Sequence, residues 1–392
     1  MTILILHQFF NTPQHGGSLR SYYLANALQD AGHKVVVITT HNQANELVEE
    51  AEGIEIHYLP VAYSNHYGFF KRIYSFIQFV LRIVNKAGQF KNADVCYAIS
   101  APLTTGLAAI WIKRRYTIPY YFEVGDLWPE APIQVGIVRN YFLKRLLYRL
   151  EASIYKRAVI VVALSAAIKQ NILQRFPMLT VQVIPNMADT EFFKHAHKNQ
   201  ELQKAFDVSG RFVIAYIGTL GLANGLHYML DCAAATLQEK LPVSFLLCGD
   251  GAMREELRHS AKVRNLSNVR FIPHQNREGV NAIINVTDAV FVSYLPLPVL
   301  ETGSPNKYFD GLAAGKLIVV NTGGWMKGEV EHEQCGIAVD PNDARDFVKK
   351  ITPFVRDSGL LAAYQARARQ LAETSYSRQI LGRAFTGLFE KL

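Results

Sequence analysis

Short apolar runs alternate with helical patterns along the whole chain of 392 residues. Runs rich in β-branched residues at 3–7, 35–39, 54–58, 95–99, 120–123 and 159–163 read as one series of strands. A second series follows at 212–217, 243–248, 269–272, 289–292, 318–320 and 337–339. Continuous hydrophobicity, rather than alternation, is what a parallel sheet covered by helices on both faces requires. Two series therefore predict an α/β protein of two doubly wound, Rossmann-like domains, with ligands beyond the carboxyl ends of the strands. The length agrees, because a single core stops growing well below it. The polar stretch 186–210 reads as the linker, and the expected domains are 1–188 and 189–374.

Two helical patterns stand out by the width of their apolar stripes. Residues 69–86 carry Phe69, Phe70, Ile73, Phe76, Ile77 and Leu81 on one side, with Lys71, Ser75, Gln78, Arg82 and Lys86 on the opposite line. Residues 66–91 hold five Lys/Arg and no acid; residues 139–157 hold six against one Glu, interleaved with Tyr141, Phe142 and Leu146. Of the formal net charge of +8, residues 1–190 supply +6. Either the stripes pack on the sheet with their charges solvated, or these segments are interfacial helices. The expectation is an anionic membrane surface as partner, through residues 66–91 and 139–157. Nucleic acid is not expected, because the aromatics sit on the apolar faces.

The amino terminus has no basic n-region, and no run of about 18 apolar residues suggests a spanning helix. Cys96, Cys232, Cys248 and Cys335 form no C-x-x-C pair, which argues against a zinc site or a disulfide framework. The expected location is the cytoplasm, peripheral at the inner membrane face. No D-x-D pair or helical H-x-x-x-H with a carboxylate is present, so no metal and no cofactor are expected.

Four motifs carry candidate chemistry. Gly16-Gly17-Ser18 follows the first strand and precedes a helix, with Ser18 the N-cap candidate; its glycines serve a phosphate or only a tight turn. Glu123-Val-Gly-Asp126-Leu-Trp-Pro-Glu130 follows a strand, where carboxylates meet substrate hydroxyls, and Asp126 is the best placed. Gly218-Thr219-Leu-Gly-Leu-Ala-Asn224-Gly-Leu suits close backbone approach to a diphosphate, but it has no Lys or Arg. In Glu301-Thr-Gly303-Ser304-Pro305-Asn306-Lys307, Ser304 reads as N-cap and Pro305 as the first helical residue, and the helix ends before Gly315. Helix N–H groups and Lys307 suit a diphosphate, and Asp310, one turn on, suits ribose hydroxyls. The plain alternative is an exposed Lys307–Asp310 pair on a capped helix.

Taken in order, these blocks, with Val183-Ile-Pro-Asn186 and Cys248-Gly-Asp-Gly251, resemble the family 4 glycosyltransferases of the GT-B fold, especially WbuB-type enzymes of bacterial surface-polysaccharide synthesis. The resemblance covers essentially the full chain. It implies two Rossmann-like domains facing across a cleft, and a last helix, about 375–392, packing back on the first. It also implies retaining, metal-independent transfer from a nucleotide sugar. The chain departs from the family at several points. Thr219 and Asn224 stand where relatives have Arg and Lys for the donor phosphates. Gly125 stands where they often have Arg. The family's Glu pair, separated by seven residues, becomes Glu301, one place early, and Asp310.

The expected site follows from both readings. Asp126 and Glu301 are the catalytic candidates. Gly16, Gly17, Gly218, Thr219, Asn224, Gly303, Ser304, Asn306, Lys307 and Asp310 bind the donor, and Arg20 and Glu123 contact acceptor or phosphate. The donor is expected to be a UDP-sugar and the acceptor a lipid-diphosphate-linked or polysaccharide glycan. The alternatives are a catalytically silent nucleotide-sugar-binding partner of another transferase and a nucleotide-dependent oxidoreductase or epimerase.

Overall fold

Each of the predicted apolar runs becomes a strand in the computed structural model, which describes residues 1–14, 17–64 and 67–390. The first sheet contains β1 (Thr2–Leu6), β2 (Lys34–His41), β3 (Leu47–Ala51), β4 (Ile54–Pro60), β5 (Val95–Ile99), β6 (Tyr120–Val124), β7 (Ile160–Ala163) and β8 (Val181–Val183). Their order is β3-β4-β2-β1-β5-β6-β7-β8, parallel throughout except for β3. The second sheet contains β9 (Phe212–Ile217), β10 (Val243–Cys248), β11 (Val269–Ile272), β12 (Ala289–Val292), β13 (Leu317–Val320) and β14 (Gly336–Ala338). Its order is β11-β10-β9-β12-β13-β14, all parallel.

Strand direction of travel reverses at β1, flanked by β2 and β5, and at β9, flanked by β10 and β12. These reversals open a crevice at the carboxyl edge of each sheet. β1, β5, β10, β12 and β13 are buried from end to end or nearly so, as continuous β-branched runs require. β3 and β8 were not foreseen. Both are edge strands; β3 is exposed and acidic, and β8 is three residues long, so neither carries an apolar run.

The chain divides into one unit of residues 1–185, 302–304 and 381–392, and another of 186–301 and 305–380. Residues 186–189 count with the second unit, within which Ala188 N donates to Tyr376 O at 2.8 Å. Residues 381–392 count with the first unit, where Tyr121 Oη donates to Leu388 O at 3.0 Å and Phe385 meets Tyr97 edge-on at 4.9 Å. The helix Ser358–Ser375 counts with the second unit and is separated from the last helix, Arg378–Thr386, at Tyr376-Ser377.

Two local expectations are corrected. Leu19, not Ser18, caps the helix Arg20–Asp30, and it makes no side-chain capping bond. In the helix Phe69–Lys86, Ser75 and Lys86 from the polar line are buried, while Phe70, Tyr74, Ile77 and Leu81 are exposed. No helix among the described residues is long and apolar enough to cross a membrane.

Candidate functional site

At the carboxyl edge of the first sheet, Arg20 opens its helix and Glu123 is the last residue but one of β6, two strands from β1. Arg20 Nε donates to Glu123 Oε1 at 3.0 Å and a terminal nitrogen to Oε2 at 2.9 Å, with both side chains buried. Arg20 also donates to the carbonyls of Ile184, at 2.8 Å, and Pro185; Tyr97 Oη donates to Glu123. Contact with acceptor or phosphate was expected of these two residues. The structure gives each to the other, since a buried charge needs a partner before it can serve a ligand. His7 follows β1, with Nδ1 2.9 Å from Ser21 Oγ; burial pushes its imidazole down to about 4, so it is neutral at physiological pH.

Asp126 lies three residues past Glu123 on the loop after β6. It is exposed, yet the surrounding protein raises its carboxyl above the usual aspartate range by desolvation. Gly125 N donates to Ser100 Oγ at 3.2 Å, which ties this loop to the one after β5. Gly17 has φ +86° and faces Asn11; Gly16 lies outside the described residues.

The second unit gathers its candidates around Lys307. The helix Asn306–Ala313 begins after Pro305, whose ψ of 136° is still extended, so Pro305 rather than Ser304 occupies the cap and no side-chain bond closes it. Proline presets φ but leaves ψ free, which is why the helical turn starts one residue later than expected. Gly315, φ +60°, ends the helix as foreseen; a Cβ there would come within 3.1 Å of His195.

Lys307 Nζ lies 4.7 Å from the ring centre of Tyr216 and 5.8 Å from that of Tyr294. A Cβ on Gly218 would sit 3.3 Å from Lys307 Cε, so the bare glycine lets strand end and lysine meet. Burial pushes the ammonium down to about 8, with Asp310 pulling the other way. Burial pushes the Asp310 carboxyl up to about 7 against the pull of Arg277 and, less, of Lys307. Arg277 itself is paired with Asp189 and stacked on Phe192 at 3.7 Å.

The loop 218–226 braces this arrangement. Tyr216 Oη donates to Thr219 O at 2.7 Å, and Asn224 Oδ1 accepts from Gly221 N at 3.3 Å. Thr219 is exposed; Asn224 is half-buried, and its carbonyl takes the Ser293 hydroxyl at 2.8 Å. Behind the loop is a cavity of 260 Å³ lined by Leu226, Tyr228, Met253, Leu295 and Asn321 among others. Its amide Asn321 is already engaged with Ser293 and Tyr294, so the cavity offers little for a diphosphate. Glu301 lies in a short turn with its carboxylate against Gly323 and its backbone carbonyl against Gly324, at the start of the helix Gly324–His332. That helix start is a favourable seat for an anion. Gly303 and Ser304 are buried and count with the first unit.

Sequence reasoning missed the two tyrosine rings that flank Lys307, and the weight of Arg277 on Asp310. Among the described residues no group of three or more His, Cys, Asp or Glu stands together as a metal set.

Residues 15–187 match the family model described as a glycosyl transferase 4-like domain, and residues 198–371 match glycosyl transferases group 1. The chain belongs to the family 4-type glycosyltransferases of the GT-B fold. The chain is 25% identical over 210 residues to the colanic acid biosynthesis glycosyl transferase WcaI of Escherichia coli (strain K12), covering 51% of this chain and 49% of that protein. It spans about half the length of the curated relatives it matches. Its fold is that of sucrose-phosphate synthase from Thermosynechococcus elongatus, with TM-score 0.81 and 15% identity over 100% and 98% of the two chains. Anabaena HepE, solved with UDP-glucose, gives TM-score 0.73 and 17% identity over the full length of both. The motifs around Gly218 and Lys307 lie in the group 1 segment, and Arg20, Glu123 and Asp126 in the 4-like segment.

Proposed function

We propose that the glycosyltransferase moves a sugar from a UDP-activated donor, with retention and without a metal, to a lipid-diphosphate-linked acceptor in surface-glycan synthesis. It would act as a peripheral protein at the inner membrane face. The observation that carries the donor reading is Lys307, held between Tyr216 and Tyr294 against Gly218, at the start of a helix that has Asp310 one turn on. A cation, unpaired helix N–H groups and a bare glycine form a diphosphate seat. Asp310 suits the ribose hydroxyls, and Glu301 and Asp126 the sugar and acceptor hydroxyls. WcaI, named for colanic acid biosynthesis, supports a surface polysaccharide, and the UDP-glucose bound to HepE supports the nucleotide.

In the transfer, the bond from the anomeric carbon to the diphosphate oxygen breaks as the acceptor oxygen attacks the same face. The acceptor proton passes to the leaving diphosphate. The chain's part is positioning, with Lys307 and the helix start taking up charge on the leaving group. Thermal-shift screening against nucleotide sugars, followed by transfer assays with and without EDTA, tests this reading. A UDP-sugar should stabilise the protein, EDTA should leave the rate unchanged, and NMR of the product should show retained anomeric configuration. An inverted product or an EDTA-sensitive rate would overturn the corresponding part.

A further inference from the structure

The helix Asn306–Ala313 starts without a side-chain cap, so its own first turn does little to set the direction in which Lys307 points. Its far end is held by Arg369, which donates to Ala313 O and also to Phe193 O at 2.7 Å and Thr190 O at 3.0 Å. At the near end the residue after Lys307 supplies the hold. Tyr308 is fully buried, and its Oη donates to Glu329 Oε2 at 2.5 Å.

Glu329 lies on the helix Gly324–His332, four residues after Trp325 and therefore on the same face. The Trp325 ring meets that of Tyr308 edge-on at 5.4 Å and lies 6.4 Å from that of Phe309. One helix face thus grips both the ring and the hydroxyl of Tyr308. The other carboxylate oxygen of Glu329 accepts from Tyr376 Oη at 2.5 Å, and the Tyr376 ring packs on Phe309 at 5.0 Å. An ionised carboxylate only accepts, and two hydroxyls arriving on separate oxygens fix its orientation. Burial raises the Glu329 carboxyl, and the two tyrosine hydroxyls pull it back down.

The same helix begins beside Glu301: a Cβ on Gly323 would stand 2.7 Å from Glu301 Oε1, and one on Gly324 2.8 Å from Glu301 O. It therefore supports Glu301 at its start and the Lys307 helix further along. Successive helical residues point about 100° apart, so a helix that turns Tyr308 inward to Glu329 leaves Lys307 directed at Gly218 and Tyr216. Release of the Tyr308 hydroxyl frees that rotation and moves the ammonium with it.

We propose that Glu329 is a positioning residue of the donor seat, which holds the Tyr308 hydroxyl, fixes the rotation of the helix Asn306–Ala313 and so aims Lys307 at the donor diphosphate. The inference rests on the donor reading above and goes beyond it, since Glu329 belongs to none of the sequence motifs.

Calorimetry of UDP binding to the full-length chain, well below its melting temperature, tests the inference. The variants are Tyr308→Phe, Glu329→Leu, Glu329→Gln, Lys307→Met and Lys307→Met/Tyr308→Phe. Tyr308→Phe and Glu329→Leu should each weaken UDP binding by about tenfold. Glu329→Gln should lose no more than about threefold, because its amide can accept from one hydroxyl and donate to the other. In the Lys307→Met background, Tyr308→Phe should change the affinity by less than about twofold, since the hydroxyl acts through the ammonium. A tyrosine with a merely structural role would lower the melting temperature and leave the affinity of the folded protein alone. UDP binding by Tyr308→Phe at the level of the parent overturns the proposal, as does full additivity with Lys307→Met. Absence of UDP binding by the parent chain instead overturns the donor reading, and this inference with it.

Discussion

Arg20 and Glu123 stand 103 residues apart and form a buried two-pronged ion pair, closed further by Tyr97 and by the carbonyls of Ile184 and Pro185. The pair joins the helix after β1, the end region of β6 and residues 184–185 after β8, so its loss is structural before it is catalytic.

Truncating one member leaves the other charge buried and unpaired. Glu123→Ala should therefore destabilise the protein by about 3–5 kcal/mol in urea unfolding, while Arg20→Met/Glu123→Leu should recover most of that loss. A single-variant loss below about 1 kcal/mol would show that the pair contributes little.

Gly249 tests the backbone beneath the donor seat. With φ +145°, it has room for a Cβ only 1.9 Å from Gly218 O, the residue against which Lys307 rests. Gly249→Ala should cost more than about 2 kcal/mol and abolish nucleotide-induced stabilisation. Gly328→Ala, on an exposed helical turn with nothing within 4 Å, should instead be neutral or stabilise by about 0.5–1 kcal/mol. Nucleotide binding by Gly249→Ala at the level of the parent would separate this turn from the donor site.

Asp310 is proposed to meet the ribose. Asp310→Ala should weaken UDP binding by about tenfold, the worth of one charged hydrogen bond, and weaken 2′-deoxy-UDP binding less. Calorimetry on the two nucleotides measures the difference. An equal loss for both would move Asp310 away from the 2′-hydroxyl.

The sheets were legible because interior parallel strands need unbroken β-branched runs. β3 and β8 were not, because edge strands need no such run. Which side of the helix Phe69–Lys86 faces inward was hidden too: a pattern shows that two faces differ, while Gln8 and Glu46, the partners that draw Ser75 and Lys86 inward, are distant in sequence. The same distance hid the pairing of Arg20 with Glu123, which read as two separate ligand contacts. Lys307 and Asp310 were legible from helix spacing alone. Their tyrosine and arginine neighbours arrive from β9, the loop after β12 and the helix Arg277–Val286, which only the topology brings together.

The crowding of Lys307 has a consequence for pH. Burial holds its ammonium near 8, below the lysine range, so the unfolded chain binds that proton more tightly. Lys307 therefore makes folding less favourable below pH 8, and this penalty fades as pH rises towards the ordinary lysine value. A diphosphate placed beside it favours the charged form and raises its pKa, so nucleotide binding should take up a proton around pH 8. UDP affinity should then fall as pH climbs through that value, and Lys307→Met should bind weakly with no such fall. Calorimetry in buffers of different ionisation enthalpy reads the proton directly. Uptake that persists in Lys307→Met would assign it to another group, and absence of uptake in the parent would place the diphosphate away from Lys307.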